Sequence, residues 1–380
     1  MLRGYKDVLG NILIKFMNIL PIKKNKIFMF SYYGGQYGDS PKYITEYILK
    51  NYPKEKFDIV WAFTDLDSKK DLKGIRKVRV MSLRYFFELC TSKIIITNFR
   101  TTELFKKRKE QYYIQTWHSS LRLKKIEKDA EESLEKSYID MAKKDSKKID
   151  LLLSGCKYST EIFKNSFWYK GDILECGTPR NDILVNCDLE VGRIKNKLNI
   201  KENKVLLYAP TFRKDGNLDV YDIDYKRVLK SLEDKYGEEW IILVKLHPHL
   251  INKSNEIEYN EKIVNATSYD DIQELLAVSD ILISDYSSLI FDYLVVGKPC
   301  FLYVPDIKDY ISKDRDLYFD IEKLPFINVK SNDELIEKII NFDEVNYKKN
   351  IKDFSNYIGS YEKGKASEKL MKKIEKICFD

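Results

Sequence analysis

Short apolar segments alternate with stretches of helical pattern along most of the chain, and this alternation limits the possible folds more than any other feature. Nine apolar segments predict strands, at residues 27–30, 57–62, 94–97, 112–116, 151–154, 205–209, 240–245, 281–284 and 300–303. Helical patterns lie between them, at 40–52, 82–90, 133–144, 158–168, 271–279 and 288–296. Strands and helices in turn predict an α/β fold whose parallel sheets are covered by helices on both faces.

The chain is too long for one ordinary core, since its 380 residues exceed the size at which a single core stops growing. The stretch "GTPRNDIL" at 177–184 interrupts the alternation with Gly and Pro, and a polar run follows it. We therefore predict two doubly wound domains, at 27–184 and 185–380, that face each other across a cleft. The last helical pattern, at 364–377, can fold back to the first domain. Ligands of such sheets bind beyond the carboxyl ends of the strands.

Residues 1–26 form a separate region with the pattern of a helix that lies on a surface. Within 2–20 nine residues share one apolar arc, polar residues lie opposite, and Pro21 ends the pattern. The arc consists of Leu2, Tyr5, Val8, Leu9, Ile12, Leu13, Phe16, Ile19 and Leu20. Two interpretations stay open: a helix packed on its own domain, and an interfacial membrane helix with its basic residues among anionic head groups. These basic residues include Arg3, Lys6, Lys15, Lys23 and Lys24.

Composition argues against several classes of protein. Lys and Arg number 66 against 59 Asp and Glu, and the net charge of +7 does not by itself predict a nucleic-acid partner. The six cysteines form no CxxC pair and there are three histidines, so we expect neither a zinc site nor a disulfide framework. The absence of a disulfide pattern favours a protein of the reducing cytoplasm. We find no secretion signal and no run of about 18 apolar residues that would span a membrane.

Polar residues follow the strand pattern 281–284, and the next helical pattern begins at once. Ser287 and Ser288 can cap this helix and leave its N-terminal amides pointing outward at the edge of the sheet. Amides at the positive end of a helix dipole bind phosphate, so a phosphate site is predicted at 285–288, with ordinary capping as the alternative. Asp292, one turn inside the helix, can reach ribose hydroxyls or be a solvated carboxylate.

Two of the three histidines directly follow strand patterns in different predicted domains. His118 follows the fourth strand pattern, and His247 follows the seventh, two residues after Lys245. An imidazole titrates near ~6.5 and accepts a proton at neutral pH, so we predict a shared reaction centre with a histidine base. Thr211 and Arg213 follow the predicted strand 205–209. They are further candidates for the site at the strand ends, and the alternative is that they are ordinary surface residues. We find no Walker loop, dinucleotide fingerprint, nucleophile elbow or D-x-D metal pair near these positions.

Taken together, these segments resemble the CDP-glycerol glycerophosphotransferase family of teichoic acid and capsule synthesis. The motifs that carry the resemblance occur in the family's order: "FSYYGGQYGDSPKYI", "QTWHSSLRLKKIEKD", "LLLSGCKYSTEIFKNSFWY", "GTPRNDIL", "LYAPTFRKD", "KLHPHL" and "ISDYSSLIFDYLVVGKPCFLY". The resemblance implies a GT-B-like fold of two Rossmann-like domains with the donor in the C-terminal one. One departure is visible, because Ser119 and Ser120 stand where the family usually has Gly-Thr, and losing Gly restricts the backbone there.

The resemblance also implies a reaction and its partners. An acceptor hydroxyl attacks the phosphorus that bears glycerol in CDP-glycerol, CMP leaves, and a phosphodiester forms on an undecaprenyl-diphosphate-linked saccharide or on poly(glycerol phosphate). The enzyme would act without a cofactor or nucleic acid, as a peripheral protein on the anionic cytoplasmic face of the membrane. Three alternatives stay open: CDP-ribitol as donor, a sugar-nucleotide glycosyltransferase of the same fold, and a non-catalytic protein that binds membranes or nucleic acid.

Each candidate residue receives a role from the same resemblance. His118 would be the general base, and His247 would stabilise the pyrophosphate. The donor would be bound by Thr211, Arg213, Lys245, Asp285, Ser287, Ser288 and Asp292. Lys124 and Lys125, together with the basic N-terminal residues, would contact the acceptor and the membrane. No metal ligand is implied.

Overall fold

The computed structural model describes residues 10, 12–101, 104–186, 191–200, 203–213, 222–247, 250, 254, 257–313 and 316–380. The chain divides into two compact units. The first consists of Met1–Ser120, Ile126–Asp182 and Tyr361–Asp380, and the second of Leu121–Lys125 and Ile183–Ser360. The two units therefore exchange short segments at two places, which differs from the simple boundary predicted between residues 184 and 185.

The first unit is built on a seven-stranded parallel sheet in the order β3-β2-β1-β4-β5-β6-β7. Its strands are β1 Lys23–Phe30, β2 Asp58–Phe63, β3 Arg76–Arg79, β4 Ser92–Thr97, β5 Tyr112–Gln115, β6 Leu151–Ser154 and β7 Asp172–Glu175. Its α-helices are Asp39–Asn51, Leu83–Thr91, Lys136–Ser146, Lys157–Ser166 and Ala366–Phe379. Residues 27–30 of β1 are all buried, as expected for a parallel strand covered on both faces.

The second unit is built on a six-stranded parallel sheet in the order β10-β9-β8-β11-β12-β13. Its strands are β8 Lys204–Tyr208, β9 Trp240–Val244, β10 Ile263–Asn265, β11 Ile281–Ser284, β12 Cys300–Tyr303 and β13 Ile327–Val329. Its α-helices are Val191–Lys197, Tyr225–Tyr236, Ile272–Val278, Leu289–Val296, Ile307–Lys313, Asn332–Ile340 and Glu344–Ile358. The short helix Asp182–Val185 contains the boundary in the sequence between Asp182 of the first unit and Ile183 of the second.

The strand orders define where each sheet has its ligand-binding edge. In the first sheet the chain progresses outward from β1 in one direction and from β4 in the other, so the topological switch point lies between these two strands. In the second sheet the corresponding point lies between β8 and β11. Ligands of doubly wound sheets bind outside the carboxyl ends of the strands at this point.

All nine predicted strands are present, and the predicted α/β class with two parallel sheets is confirmed. Four strands were not predicted, namely β3, β7, β10 and β13. Each of them is an edge strand of its sheet. An edge strand has one hydrogen-bonded neighbour instead of two, and it tolerates the shorter and more polar sequences seen here.

The C-terminal helix is fastened to the first unit by a buried part of "GTPRNDIL". The Asp182 carboxylate accepts hydrogen bonds from the Ala366 and Ser367 amides, both at 2.8 Å, and so binds the first turn of the helix Ala366–Phe379. Glu362 accepts from the Thr178 hydroxyl at 2.7 Å and from the Thr178 amide at 3.0 Å. The motif therefore joins the end of the chain to the first unit.

Part of the predicted N-terminal surface helix lies outside the described residues, and residues 12–17 are helical. Ile14 is buried against Phe86 and Cys90. Phe16 is 70% exposed and Ile19 is 78% exposed. The described apolar side chains of the predicted arc are thus mainly exposed, while a residue outside the arc anchors the helix to the first unit.

Candidate active site

Arg213 organises the switch point of the second sheet. Its guanidinium donates to Asp285 at 2.8 Å, and it donates from Nε to Asp306 at 2.7 Å. The rings of Tyr286 and Tyr310 lie 4.8 and 4.9 Å from the guanidinium carbon. Asp285 follows β11 and Asp306 follows β12, so one buried cation holds together the loops after three adjacent strands.

This ion-pair cluster determines what charge Arg213 can offer to a ligand. Burial would lower the pKa of Arg213, but Asp285 and Asp306 outweigh burial and raise it, so the side chain stays charged. Two carboxylates face the single cation, and Asp285 also accepts from the Thr211 amide at 2.8 Å. Of the predicted donor ligands, Thr211, Arg213 and Asp285 are therefore brought together, and their charged groups are engaged with one another.

The two serines at the start of the helix Leu289–Val296 make different contacts. The Ser287 hydroxyl accepts from the Leu289 amide at 3.4 Å, a long contact within the helix start. The Ser288 hydroxyl accepts from the Leu123 amide at 3.2 Å and makes no capping hydrogen bond within its own helix. The prediction that Ser288 caps the helix through its side chain is wrong, because that side chain binds a segment 165 residues earlier in the chain.

Asp292 is completely buried, with a relative exposure of 0%. A carboxylate without solvent exposure is not the solvated group that one interpretation of the sequence expected. Contact between Asp292 and a ribose would require the side chain to become accessible first. Its role as a donor ligand stays a prediction.

Lys245 and His247 follow β9, next to β8 in the sheet. The Lys245 ammonium donates to the main-chain oxygens of Thr267 and Tyr269, both at 2.7 Å. Burial lowers the pKa of Lys245, against the opposing effect of nearby carboxylates. His247 is exposed, and its ring centroid lies 5.6 Å from that of Phe212. The lysine thus fastens a loop, while the imidazole stands at the carboxyl end of the sheet.

His118 is exposed at the carboxyl end of β5 in the first unit. Its Nδ1 lies 3.1 Å from the main-chain oxygen of Asn98. Because a carbonyl oxygen only accepts hydrogen bonds, Nδ1 carries the proton in this contact, and Nε2 of the neutral ring keeps its lone pair. The ring stacks on Trp117 with a centroid distance of 4.4 Å. In the neutral ring this arrangement leaves Nε2 as the nitrogen that can accept a proton.

A buried set of side chains supports Trp117 below the histidine. The Trp117 backbone has a left-handed φ of 53°, and its amide donates to the Gln115 side chain at 2.9 Å. The indole contacts the Phe167 ring, 4.8 Å away, and the Arg100 guanidinium lies 3.7 Å from the same Phe167 ring. Arg100 is paired with the buried Glu127 at 3.1 Å. The side chains under His118 are therefore packed, and Arg100 faces two buried carboxylates, Glu127 and Asp145.

Asn98 and Asp39 are site residues that sequence reasoning missed. Asn98 follows β4, and its side-chain oxygen accepts from the Tyr32 amide at 3.1 Å while its carbonyl holds His118. Asn98 thus links the loops after β1, β4 and β5. The sequence did contain a signal for Asn98, since this residue directly follows the predicted strand 94–97, just as His118 lies shortly after the predicted strand 112–116.

Asp39 is a buried carboxylate at the start of the helix Asp39–Asn51. Its Oδ2 accepts from the Arg180 guanidinium at 2.9 Å and from the Tyr32 hydroxyl at 2.8 Å. Burial alone would raise the pKa of Asp39, but Arg180, the Ser40 amide, His118 and Tyr32 outweigh it and hold the pKa below its usual range. The first unit thus places a fixed negative charge in the electrostatic surroundings of the imidazole.

The basic residues predicted to meet the acceptor and the membrane separate into two groups. Lys15, Lys23 and Lys24 belong to the first unit, whereas Arg3 and Lys6 lie outside the described residues. Lys124 and Lys125 belong to the second unit, contrary to the predicted domain boundary. Lys124 lies 5.0 Å from the Tyr310 ring, and Lys125 is paired with Asp316.

Two structural features are absent from the described part of the chain. No cluster of three or more His, Cys, Asp or Glu side chains there has the geometry to hold a metal ion. None of its helices combines the length and the apolar character needed to cross a bilayer.

Two doubly wound parallel sheets, each with polar side chains at its switch point, define an α/β protein of the class that binds nucleotides at strand ends. Residues 12–376 match the family described as CDP-Glycerol:Poly(glycerophosphate) glycerophosphotransferase. The chain belongs to this family, as its motifs predicted.

Several known proteins are similar to the chain over nearly its whole length. A teichoic acid poly(glycerol phosphate) polymerase of Bacillus spizizenii is 32% identical, with 96% of this chain and 95% of the relative covered. A teichoic acid glycerol-phosphate transferase of Staphylococcus aureus is 31% identical, with 95% of each chain covered. A structure of the wall teichoic acid polymerase TagF soaked with CDPG superimposes with a TM-score of 0.84 at 31% identity, covering 99% of this chain and 96% of that one. The predicted GT-B-like class is confirmed.

Proposed function

We propose that the protein transfers glycerol phosphate from CDP-glycerol to a hydroxyl of a lipid-linked saccharide or of poly(glycerol phosphate), with release of CMP, in wall teichoic acid synthesis. Membership in the glycerophosphotransferase family supports the donor and the reaction. The observation that carries the assignment of the base is the contact between His118 Nδ1 and the Asn98 carbonyl, which leaves Nε2 as the proton acceptor.

In this mechanism the acceptor hydroxyl gives its proton to Nε2 of His118 while its oxygen attacks the phosphorus that bears glycerol. The bond from that phosphorus to the bridging diphosphate oxygen breaks, and CMP leaves with the electron pair. His247 and the amides at the start of the helix Leu289–Val296 would stabilise the charge on the diphosphate. The negative charge of Asp39 favours the imidazolium that forms on His118.

Arg213 and Lys245 support the donor site indirectly in this proposal. Arg213 is paired with two carboxylates, and Lys245 is bonded to two carbonyls. Each cation therefore keeps a loop at the carboxyl edge in place, and the direct contacts to phosphate come from His247, Ser287 and backbone amides.

Glycerol is the preferred polyol of the donor, and ribitol is the alternative. The glycerol-phosphate polymerase and transferase named above are 32% and 31% identical to the chain. A teichoic acid ribitol-phosphate primase of Bacillus spizizenii is 27% identical, with 97% of this chain covered. Among the relatives aligned over more than nine-tenths of this chain, the enzymes named for glycerol phosphate are more identical to it than those named for ribitol phosphate, which favours CDP-glycerol.

The N-terminal helix would bring the enzyme to the cytoplasmic face of the membrane as a peripheral protein. Phe16 and Ile19 are exposed there, and Lys15 and Lys24 are exposed near them in the sequence. Apolar side chains beside cations suit the interface of an anionic bilayer. The acceptor on that surface would be an undecaprenyl-diphosphate-linked saccharide.

The test of the proposed function is product analysis with defined substrates. CDP-glycerol, CDP-ribitol and a UDP-sugar are each offered with a lipid-linked disaccharide, and CMP or UDP release and product mass are measured. We expect CMP release and a mass increase of glycerol phosphate units with CDP-glycerol. Turnover of the UDP-sugar instead would establish the glycosyltransferase alternative, and preferred turnover of CDP-ribitol would establish the ribitol alternative.

A further inference from the structure

Residues 31–36, which we call the β1 loop, follow β1 at the carboxyl edge of the first sheet. The Thr64 amide, just after β2, donates to the Gly34 carbonyl at 2.9 Å. The Tyr32 amide donates to the side chain of Asn98, just after β4, at 3.1 Å. Since β2 and β4 are the two neighbours of β1 in the sheet, the β1 loop is fixed from both sides.

The β1 loop has an unfavourable backbone conformation at two consecutive tyrosines. Tyr32 has a φ of 45° and Tyr33 a φ of 56°, in the left-handed region that bulky side chains rarely adopt. Beside this loop, the Asn98 side chain is fully buried, and its Nδ2 donates to none of the described residues. Left-handed residues and buried donors without acceptors both reduce stability, and such features collect at functional sites. The β1 loop is therefore a candidate binding element.

Two consecutive residues connect the β1 loop to His118. The main-chain oxygen of Asn98 lies 3.1 Å from Nδ1 of His118. The next residue, Phe99, packs its ring against the Tyr33 ring with a centroid distance of 4.0 Å. Since consecutive Cα atoms are ~3.8 Å apart, the base and the Tyr33 ring contact adjacent positions of one backbone segment. All of these residues belong to the first unit.

The Tyr33 side chain offers an aromatic surface to a ligand, since it is 60% exposed although Phe99 packs against it. A tyrosine ring combines an apolar face with a polar hydroxyl, which matches the CH and OH groups of a sugar ring. Partial burial of the hydroxyl and then the negative charges of Asp145 and Glu127 raise the pKa of Tyr33. The same charges would repel a polyanionic chain on this ring, so a neutral sugar is the better ligand.

We propose that the Tyr33 ring is a platform on which a neutral sugar ring of the saccharide acceptor stacks, so that an acceptor hydroxyl lies near Nε2 of His118. This inference rests on the proposed function, and it names the saccharide, rather than poly(glycerol phosphate), as the acceptor that the β1 loop recognises. The fixed loop holds the ring in place before the acceptor binds, which lowers the entropic cost of binding. Proton transfer remains with His118.

The experiment is calorimetric titration of the full chain with a soluble disaccharide acceptor, with oligo(glycerol phosphate) and with CDP-glycerol. Tyr33→Ala should raise the Kd for the disaccharide about 3- to 10-fold, the effect of losing one stacking contact. It should not weaken binding of oligo(glycerol phosphate) or CDP-glycerol. Tyr33→Phe keeps the ring and should bind the disaccharide nearly as well as the wild type. Tyr357→Ala is the matched control, because it removes a tyrosine of the second unit that is 69% exposed, and it should leave disaccharide binding unchanged.

The inference is overturned if the wild type does not bind the disaccharide, if Tyr33→Ala binds it as tightly as the wild type, or if Tyr33→Ala weakens binding of all three ligands alike. Tyr33→Gly suits the left-handed φ and takes the place of Tyr33→Ala if the latter does not fold. Absence of CMP release from CDP-glycerol by the wild type would refute the proposed function, whereas the disaccharide titration requires no turnover.

Discussion

The exchange of His118 for Gln tests the assignment of the general base most directly. The imidazole is exposed, stacks on Trp117 at 4.4 Å and holds the Asn98 carbonyl through Nδ1 at 3.1 Å. A Gln side chain retains an amide that can donate to that carbonyl, but it has no basic atom. His118→Gln therefore removes proton acceptance and leaves most of the local structure in place.

The loss of activity should be much larger than the loss of stability. A positioned general base contributes about 10²–10⁴-fold, which corresponds to about 3–5 kcal/mol in the transition state. The substitution removes at most one hydrogen bond and one ring contact of an exposed side chain, so the free energy of unfolding should fall by no more than about 2 kcal/mol. The separation of the two effects makes the experiment decisive.

The assay is CMP release from saturating CDP-glycerol with a defined lipid-linked disaccharide, beside urea unfolding and calorimetric titration with CDP-glycerol. His118→Gln should retain the wild-type Kd for the donor while kcat falls at least 100-fold. His247→Gln is the matched control, and it should raise that Kd. A folded His118→Gln variant with kcat within about 3-fold of the wild type would refute the reasoning.

Three further predictions concern buried charge and the membrane. Asp39→Asn leaves the buried Arg180 without its carboxylate, so the free energy of unfolding in urea should fall by about 3 kcal/mol; an unchanged value would contradict the pairing. Glu88 is buried in the helix Leu83–Thr91 and accepts from the Arg76 guanidinium at 2.5 Å and from the Lys26 ammonium at 2.6 Å. Burial would raise the pKa of Glu88, but these hydrogen bonds, that from Arg76 first, lower it to about 2 from 4.5. Because the pKa of Glu88 is lower in the folded than in the unfolded state, the ionised carboxylate stabilises the fold above about pH 4.5, and this stabilisation is lost as the pH falls toward 2. Glu88→Gln should therefore flatten the acid side of a plot of Tm against pH. Deletion of residues 1–20 should weaken sedimentation with anionic vesicles and spare turnover of a soluble acceptor; equal sedimentation of both forms would argue against an interfacial helix.

The central strands were predictable and the edge strands were not. The nine predicted strands are apolar segments, as burial on both faces of a parallel sheet requires. The edge strands have the sequences RKVR in β3, DILE in β7, IVN in β10 and INV in β13. These sequences are short or charged, and they are strands because a neighbouring strand presents free hydrogen-bonding groups to them. That neighbour is known only once the sheet is assembled.

The candidate site was predictable in position more than in chemistry. Parallel strands end at one edge of a sheet, so a polar residue directly after a strand pattern lies at that edge, as His118 and His247 do. Nothing in the sequence pattern indicated which groups the charged side chains would pair with. Arg213 is paired with Asp306, 93 residues later, and Lys245 is bonded to main-chain carbonyls, which any residue type supplies.

The amino-acid sequence alone determined the α/β class, the central strands, the family and the strand ends that carry the histidines, because periodicity and local motifs are properties of neighbouring residues. The tertiary structure decided which charges are paired, which ring nitrogen of His118 faces the Asn98 carbonyl, and which unit holds Leu121–Lys125 and Tyr361–Asp380. These outcomes depend on contacts between segments far apart in the chain, and such contacts exist only after the sheets have formed.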